Sequence, residues 1–177
     1  ASVVFGEYDR ETLNVYKAFQ IGGVGLYPLP GAHRLRLSMI HAHDLAEFLV
    51  LTAERGERVD ATGKKPTGNG IYYSAYVERP TFAELIEMAA RSLQYERIRI
   101  IEIPISMVWV AGWISELLAR MRGDSTGILN LDKARAAAAG SWTCSPEKSL
   151  RLGFTPRVSL EDRIHQTANW YLENGWL

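Results

Sequence analysis

Strand-like segments alternate with capped helices along the chain, and this order constrains the fold more than any other feature. Strands need a helix or another strand to cover them, so their alternation with helices predicts a mixed α/β architecture. No repeat at a fixed period and no linker divides the 177 residues, so a single domain over residues 1–177 is expected. The predicted strands occupy residues 1–5, 35–41, 71–75 and 97–103, and a turn-rich loop over residues 22–31 can hold one more.

Residues that cap helix N-termini mark where the helices begin. Thr81 is followed three residues later by Glu84, which is the spacing of a capping box, and Asp44 precedes Glu47 at the same distance. We therefore expect Asp44 to cap its helix. Ser159 is expected to cap the last helix, whose apolar residues repeat at helical spacing. The predicted helices cover residues 9–20, 44–54, 81–93, 130–138, 146–152 and 159–173, together with the apolar stretch 103–118.

Charge and cysteine content exclude several classes of protein. The 20 Lys and Arg residues balance the 20 Asp and Glu residues, so the chain lacks the basic surface that nucleic acid requires as a partner. Apolar residues make up 47% of the sequence, which is ordinary for a globular domain. The single Cys144 excludes an internal disulfide and fits a reducing compartment, so a cytoplasmic location is expected.

The longest apolar run covers residues 103–118. It is shorter than the ~20 residues of a membrane-spanning helix, and Pro104 and Glu116 interrupt it, so no transmembrane segment is expected. We favour a buried or pocket-lining helix over one that lies in a membrane interface. Trp109 and Trp113 are one turn apart on this helix, and such a pair is more often part of a core unless the helix lines a pocket.

The sequence lacks the motifs that bind a dinucleotide or transfer a proton in nicotinamide-dependent enzymes. Gly22, Gly23 and Gly25 form a glycine cluster, but Pro28 stands where a dinucleotide fingerprint needs its third glycine. No Tyr is followed four residues later by Lys, so the proton-transfer pair of short-chain dehydrogenases is absent and no catalytic residue is expected. The chain starts inside the first predicted strand without an initiator Met or a signal peptide. Processing, proteolysis or the choice of expressed segment would each produce that start.

Two weak candidates for a metal or thiol site have better structural explanations. His41 and His43 would lie on one face of a strand, yet further ligands are not evident and Asp44 suits a helix cap, so no metal is expected. Cys144 and His165 could form a nucleophilic pair, but Cys144 lies just before a Ser-Pro helix start, which favours a packed or surface thiol.

Several motifs occur in the order in which one enzyme family carries them. The family's patterns Arg-Pro-x-x-Val-Tyr-Gly and His-Val-x-Asp-Leu-Ala are similar to residues 1–6 (ASVVFG) and 41–46 (HAHDLA). Its Gly-x-x-Tyr-x-x-Ser strand, its Leu-Gly-[Phe/Trp]-x-Pro turn and its Thr-x-x-Trp-Tyr ending are similar to residues 70–84, 152–156 and 167–171. The chain thus resembles the C-terminal, substrate-side half of an extended short-chain dehydrogenase/reductase of the NAD-dependent epimerase/dehydratase family. Its nearest branches are the hydroxysteroid-dehydrogenase-like and dihydroflavonol-reductase-like ones.

This resemblance implies a fold, a cofactor and a set of site residues. The fold would be α/β, the C-terminal part of a Rossmann-type NAD(P)-binding fold with its smaller mixed α/β substrate domain, and the N-terminal nucleotide-binding half would be absent. The parent protein would use NAD or NADP, which is not expected to bind tightly to this chain alone, and the isolated chain would be inactive. The resemblance places Ala1 and Ser2 at the cofactor, and Val3, Ser38, Trp109 and Trp113 at the substrate.

Two positions depart from the sugar-nucleotide epimerases of that family. Their pattern has Asn where this chain has Val3, and it has an Arg that binds the diphosphate where this chain has Leu37. The nearest arginine in this chain, Arg36, is one residue out of register. The implied activity is an NAD(P)-dependent oxidoreduction or epimerisation at a hydroxyl or keto group of a small apolar or sugar-like molecule. A non-catalytic binding or interaction module with the same fold is the alternative.

Unpaired strand edges give a further expectation about partners. Without the strands of the other half, residues 1–5 and 71–75 would expose backbone groups and an apolar face. A homodimer, or association with the missing N-terminal half, is therefore expected in addition to the small-molecule substrate.

Overall fold

The computed structural model describes residues 2–22, 26–59, 68–95, 98–122 and 131–177. These residues form four strands interspersed with seven helices, which confirms the mixed α/β class. The strands are β1 (Val3–Phe5), β2 (Leu26–Pro30), β3 (Met39–His41) and β4 (Arg99–Ile103). The helices are α1 (Arg10–Gly22), α2 (Ala42–Arg55), α3 (Phe82–Ser92), α4 (Ile105–Arg122), α5 (Leu131–Ala138), α6 (Glu147–Arg151) and α7 (Leu160–Glu173).

The described strands pair in two parallel ladders, β1 with β3 and β2 with β4. In the first ladder Val3 lies opposite Met39 and Phe5 lies opposite His41. A parallel pair needs a crossover connection, and helices separate the paired strands in both ladders. The carboxyl ends of β1 and β3 therefore lie side by side.

Residues 71–75, predicted as a strand, do not form one. The Ser149 hydroxyl on α6 donates a hydrogen bond to the Tyr73 carbonyl (2.6 Å), and the Tyr76 N–H donates to the Met39 carbonyl of β3 (2.9 Å). The prediction is wrong because an alternating pattern shows that a segment is half-buried, and the presence of a partner strand depends on the rest of the fold.

The strand predicted over residues 35–41 is shorter than expected, since its ladder is confined to Met39–His41. The Leu37 N–H donates to the Pro80 carbonyl (2.9 Å) and the Ser38 N–H donates to the Trp142 carbonyl (2.8 Å). The first half of the segment is thus bonded to two loops, which satisfy its backbone without a neighbouring strand.

The main core lies between α1, α3, α7 and the β1–β3 ladder. The predicted inward residues of α1, which are Leu13, Tyr16 and Phe19, are buried. On α7, Tyr171 is buried and its ring meets that of Tyr16 edge to face, with 5.5 Å between centroids. The Tyr16 hydroxyl donates to the Ile164 carbonyl (3.0 Å), which satisfies a polar group inside an apolar cluster. Helical spacing of apolar residues is confirmed as the signal for these buried faces.

Helices α3 and α7 begin at their predicted caps. The Thr81 hydroxyl accepts from the Glu84 N–H (3.2 Å), and the Glu84 carboxylate accepts from the Thr81 N–H (2.7 Å), which completes the capping box. The Ser159 hydroxyl accepts from the Asp162 N–H (3.1 Å). Both predictions are confirmed because each cap involves residues within a single turn.

Helix α2 begins differently from the prediction. Its N-cap is His41, whose ring Nδ1 accepts a hydrogen bond from the His43 N–H (3.2 Å). Asp44, predicted as the cap, is buried in the first turn instead. The prediction is wrong because the Asp44 carboxylate turns inward to Arg163 and Tyr76, which hold it away from the helix end.

Helix α4 is anchored through small residues and presents its large apolar side chains outward. Val108, Gly112 and Ala119 are buried, and the helix packs against α5, whereas Trp113 and Met121 are exposed. The buried alternative is therefore wrong for this helix, whereas the pocket-lining alternative stays a prediction. None of the helices within the described ranges is long and apolar enough to cross a bilayer.

Candidate functional site

Polar side chains converge where β1 and β3 end. Glu7 follows β1 after one glycine, His41 is the last residue of β3, and Asp44 lies in the first turn of α2. In sheets of parallel strands, ligands bind outside the carboxyl ends of the strands, which makes this edge a candidate site. The polar cluster consists of Glu7, His41, Asp44, Tyr76, Arg163 and Gln166.

His41 is held between a helix end and a carboxylate. Its ring is fully buried and packs edge-on against Phe5, with 5.2 Å between centroids. Because Nδ1 accepts a hydrogen bond from the His43 N–H, the proton of the neutral ring is on Nε2. Nε2 lies 3.2 Å from Glu7 Oε2, but the two atoms are not aligned for a hydrogen bond. Burial, the largest influence, lowers the pKa of His41 despite the nearby Glu7 carboxylate, so the ring is neutral at pH 7.

Asp44 and Arg163 form a buried ion pair. Arg163 Nη2 donates to Asp44 Oδ1 (2.6 Å) and Arg163 Nε donates to Asp44 Oδ2 (3.1 Å), so the arginine binds the carboxylate in a bidentate way. The Tyr76 hydroxyl also donates to Asp44 Oδ2. Burial by itself raises the pKa of Asp44, but the hydrogen bonds from Arg163 and Tyr76 together lower it by more. The net pKa is therefore below its ordinary value, and the carboxylate is ionised at pH 7. Burial and the bond to Asp44 raise the pKa of Tyr76, so its hydroxyl stays protonated.

Gln166 connects this ion pair to the surface. Arg163 Nη1 donates to Gln166 Oε1 (2.7 Å), and Gln166 Nε2 donates to Glu7 Oε1 (2.6 Å). Glu7 and Gln166 line an open cleft of about 510 Å³ along α7, and Asp162 and Glu173 also line it. Three carboxylates around one cleft disfavour an anionic ligand such as a diphosphate.

Gly6 allows β1 and β3 to end in contact. Its φ is +153°, and a Cβ at this position would lie 3.1 Å from His41 Nε2 and 3.3 Å from the Cβ of Ala42. The Tyr171 hydroxyl donates to the carbonyls of Gly6 (3.0 Å) and Asp9 (2.6 Å), which fixes the turn between β1 and α1. The absence of a side chain at Gly6 leaves the room that the His41 ring occupies.

The polar cluster is paired internally. The Asp44 carboxylate is bound by two donors, the Tyr76 proton is directed at Asp44, and the neutral His41 ring caps α2. A general acid or base has to reach its substrate, and these three side chains are buried. The cluster therefore acts as a support that fixes the strand ends and α2 against α7.

Of the residues predicted at the cofactor and substrate, Ser2, Val3 and Ser38 lie at the amino ends of β1 and β3, away from the polar cluster. Ala1 falls outside the described residues. Ser2 and Val3 are half-buried, and the Val3 N–H donates to the Ser38 carbonyl (2.7 Å). The structure thus brings Val3 and Ser38 together at the amino ends of the two strands.

The remaining predicted substrate residues, Ser38, Trp109 and Trp113, differ in solvent exposure. Ser38 is fully buried, and its hydroxyl accepts from the Cys144 N–H (2.9 Å) and donates to the Cys144 carbonyl (3.3 Å). Trp109 and Trp113 lie on α4, where they are 37% and 59% exposed. The tryptophan rings are therefore available for contact, whereas the Ser38 hydroxyl is engaged with the loop at Cys144.

The helix N-termini near the ends of β1 and β3 are not arranged to hold a pyrophosphate. A nucleotide diphosphate needs free N–H groups at a helix start and a close glycine backbone. At α1 these groups are taken by the Asp9 carboxylate, which accepts from the N–H groups of Glu11 (2.9 Å) and Thr12 (3.2 Å). At α2 the His41 ring takes one such group, and the Glu7 carboxylate lies nearby. These residues do not fit the pyrophosphate of NAD or NADP.

Two further sequence motifs give no site in the part of the chain that the structure describes. Gly22 ends α1 instead of forming a strand-to-helix turn, and Gly23 and Gly25 fall outside the described residues. Around His41 and His43, as elsewhere in the described ranges, no group of three His, Cys, Asp or Glu side chains could hold a metal ion.

Sequence reasoning missed Arg163 and Tyr76, the two residues that hold Asp44. A signal for Arg163 exists, because it lies at four-residue intervals from Thr167 and Tyr171 on the buried stripe of α7. A charged residue on a buried stripe requires a buried partner. Tyr76 lies in a loop, and no comparable pattern marks it.

Three solved structures share this fold with the chain. The structure of gox2253 matches with a TM-score of 0.62 at 21% identity, over 98% of this chain and 48% of that chain. UDP-glucose 4-epimerase from Thermotoga maritima, solved with UDP-glucose, matches with a TM-score of 0.59 at 13% identity, over 98% of this chain and 44% of that chain. A GDP-L-fucose synthetase from Naegleria fowleri, bound to NADP, matches with a TM-score of 0.58 at 15% identity, over 98% of this chain and 46% of that chain.

No protein-family model and no curated protein matches the sequence. The chain spans about half the length of the solved structures that it matches. At these identities the likeness shows the fold alone: a mixed α/β chain that corresponds to the C-terminal half of Rossmann-type epimerase and dehydratase chains.

Proposed function

We propose that this chain is the substrate-binding portion of an NAD(P)-dependent oxidoreductase or epimerase that acts on a hydroxyl or keto group of a small molecule. The match of 98% of the chain to about half of an epimerase and of a GDP-L-fucose synthetase carries the proposal. In the proposal, residues outside this chain hold most of the cofactor. Support for this comes from the N-termini of α1 and α2, which are filled by the side chains of Asp9 and His41.

The proposed site includes the amino ends of β1 and β3, and the motif resemblance adds Trp109 and Trp113 of α4 to it. The hydrogen bond between Val3 and Ser38 joins the two strands at this point. For Ser38 to bind a substrate, its hydroxyl must exchange the Cys144 carbonyl for a substrate group. The proposed contacts are Ala1 and Ser2 with the nicotinamide cofactor, and Val3, Ser38, Trp109 and Trp113 with the substrate.

Among candidate substrates, we favour an apolar ketone or alcohol over a nucleotide sugar. Leu37, at the position of the diphosphate-binding Arg in the epimerases that the sequence resembles, is apolar and buried. Its neighbour Arg36 donates to the Arg79 carbonyl (2.7 Å) and lies 3.9 Å from Glu84, so its guanidinium is already engaged. A diphosphate would therefore lack its cationic partner at this place.

Ligand titration of the 177-residue chain tests this proposal. We expect progesterone or dihydroquercetin to quench the tryptophan fluorescence saturably, and UDP-glucose and NADPH to leave it unchanged. Trp109→Ala and Trp113→Ala should each raise the dissociation constant about tenfold, because each removes a large apolar contact. Trp142→Phe is the control, since this exposed tryptophan lies outside α4 and its loss should leave the affinity as it is.

Other outcomes separate the parts of the proposal. Saturable binding of UDP-glucose would contradict the apolar substrate and favour a nucleotide sugar. Tight binding of NADPH would contradict a cofactor site outside this chain. If a folded chain, as judged by circular dichroism, binds none of the four compounds, a non-catalytic interaction module becomes the better explanation.

A further inference from the structure

Helix α4 has two apolar faces, and the described fold covers one of them. The covered face includes Val108, Gly112 and Ala119, which are buried, and α4 packs against α5. Glu116 accepts a hydrogen bond from the Leu131 N–H at the start of α5 (3.1 Å). The helix is therefore fixed to the protein through this side, and no described residue covers its other side, which leaves that side open to a partner.

The free side carries a stripe with coiled-coil spacing. Its residues follow one another at intervals of three, four, three and four positions, which are the a and d positions of two heptads. Their exposed fractions lie between 44% and 76%. A straight apolar stripe of this kind fits against one other helix. The outer seam consists of Met107, Val110, Ile114, Leu117 and Met121.

The exposed area of this face is that of a protein interface. At their exposed fractions, the outer seam and the flanking Leu118 expose on the order of 600 Å². The largest apolar patch of a typical monomer covers about 300–600 Å². Two copies of this surface would together bury about 1,200 Å², which is the lower end of the range for a stable interface.

We propose that the outer seam packs against the outer seam of a second copy of this chain, with the two α4 helices antiparallel about a twofold axis at Ile114. Met107 and Met121 lie seven residues to either side of Ile114, and the same axis sets Val110 opposite Leu118 and Leu117 opposite Ala111 of the other copy, so apolar residues meet throughout. Antiparallel packing sets Arg120 of each copy against the uncharged first half of the other helix, whereas parallel packing places the two arginines side by side. Antiparallel packing also opposes the two helix dipoles.

The charges on α4 favour a protein partner over a membrane surface. Helices that lie in a membrane interface carry Lys and Arg along their polar face. The basic residues of α4 are Arg120 and Arg122, both in its last turn, and Arg120 is paired with Glu116 (3.6 Å). The covered side of the helix is occupied by α5 instead of by a basic polar face.

Mass measurement in solution tests the dimer. Light scattering or sedimentation is expected to give twice the 19.9 kDa of one chain. Ile114→Arg should raise the dimer dissociation constant at least about 100-fold, because it would bury two like charges on the axis. Val77→Arg is the control, since Val77 is 64% exposed and lies outside α4. A monomeric chain, or an Ile114→Arg dimer as tight as the wild type, would overturn the proposal.

Disulfide trapping tests the orientation of the helices in a Cys144→Ser background. Ile114→Cys should oxidise to a covalent dimer, because residues on the axis meet their own copies within about 7 Å. Met107→Cys should not link to itself, because an antiparallel pair separates the two copies by about 20 Å at 1.5 Å per residue. A mixture of Met107→Cys and Met121→Cys chains should link. Self-linkage of Met107→Cys would overturn the antiparallel arrangement.

Vesicles of phosphatidylcholine and phosphatidylglycerol distinguish a membrane from a second copy. We expect the wild-type chain to remain in the supernatant when these vesicles are sedimented. If the wild-type chain sediments with them and Ile114→Arg does not, the seam is a membrane-binding surface and the proposal fails. Trp109 and Trp113 lie beside the seam, so the substrate test and the dimer test give separate outcomes.

Discussion

Arg163 on α7 and Asp44 on α2, which are 119 residues apart in sequence, form an ion pair with 2.6 Å between Nη2 and Oδ1. Their side chains are 9% and 1% exposed. The pair joins the last helix to the segment that follows β3, and through Gln166 it reaches Glu7 after β1. The carboxyl ends of both strands thus depend on a contact with α7.

Removal of the arginine should destabilise the protein strongly. Arg163→Met is expected to lower the free energy of unfolding by about 3–5 kcal/mol, because it leaves the Asp44 charge buried without its partner. Urea unfolding followed by circular dichroism measures this. Arg91→Met is the control, since it removes the exposed pair with Glu161 (2.9 Å) and should cost less than about 1 kcal/mol. Equal losses in the two variants would show that the buried Asp44–Arg163 pair contributes no more to the free energy of unfolding than an exposed ion pair.

The stability of the protein should fall as the pH falls below about 6.5, the ordinary pKa of histidine. Burial lowers the pKa of His41 in the folded protein, so below that pH the unfolded chain binds a proton that the folded protein does not. Protonation would also remove the Nδ1 acceptor that caps α2. The charged and titratable groups around the ring are Glu7, Asp44, Arg163 and His43. The pKa of Asp44 is itself lowered, so its contribution is lost only below about pH 4.

Urea unfolding at about pH 7.5 and pH 5.5 measures the histidine effect. His41→Asn supplies a cap acceptor that does not titrate, so it should reduce the difference in stability between the two pH values. His43→Asn changes an exposed ring and should keep the difference. A wild-type protein that is equally stable at both pH values would contradict the assignment to His41.

A side chain at position 6 should distort the end of β1. Gly6→Ala is expected to cost about 1–3 kcal/mol, since its backbone conformation is strained for alanine and its Cβ would lie 3.1 Å from His41 Nε2. Thermal or urea unfolding measures the loss. Gly175→Ala is the matched control, because Gly175 also has a positive φ (+68°) but has open space around its Cβ position. The loss at Gly175 should be the smaller of the two, and the reverse order would contradict the close approach.

The capping box of α3 should make a measurable contribution by itself. Thr81→Ala is expected to lower the free energy of unfolding by about 1 kcal/mol, because it leaves the Glu84 N–H without its acceptor. Thr155→Ala changes an exposed threonine outside the helices and should have no measurable effect. Chemical denaturation of both variants checks the difference, and a Thr81→Ala protein as stable as the wild type would rule the cap out as a stabilising contact.

Features that depend on neighbouring residues were predictable. The caps at Thr81 and Ser159 and the buried side of α1 follow from residue types a few positions apart. The fold class followed from the order of strand and helix patterns, and the solved structures that match the chain have the same fold. The site assignments at Val3 and Ser38 remain predictions from motif resemblance, although the structure places these two residues in contact.

The sequence by itself determined where α3 and α7 begin and which sides of α1 and α7 are buried, because those interactions close within one or two helical turns. Tertiary structure decided that Asp44 pairs with Arg163 and leaves the cap of α2 to His41. It also decided that, within the described ranges, residues 71–75 have no partner strand and the outer side of α4 is uncovered. The physical reason is distance along the chain: buried charges, strand ladders and helix contacts depend on which remote segments the fold brings together, and a local pattern does not contain that information.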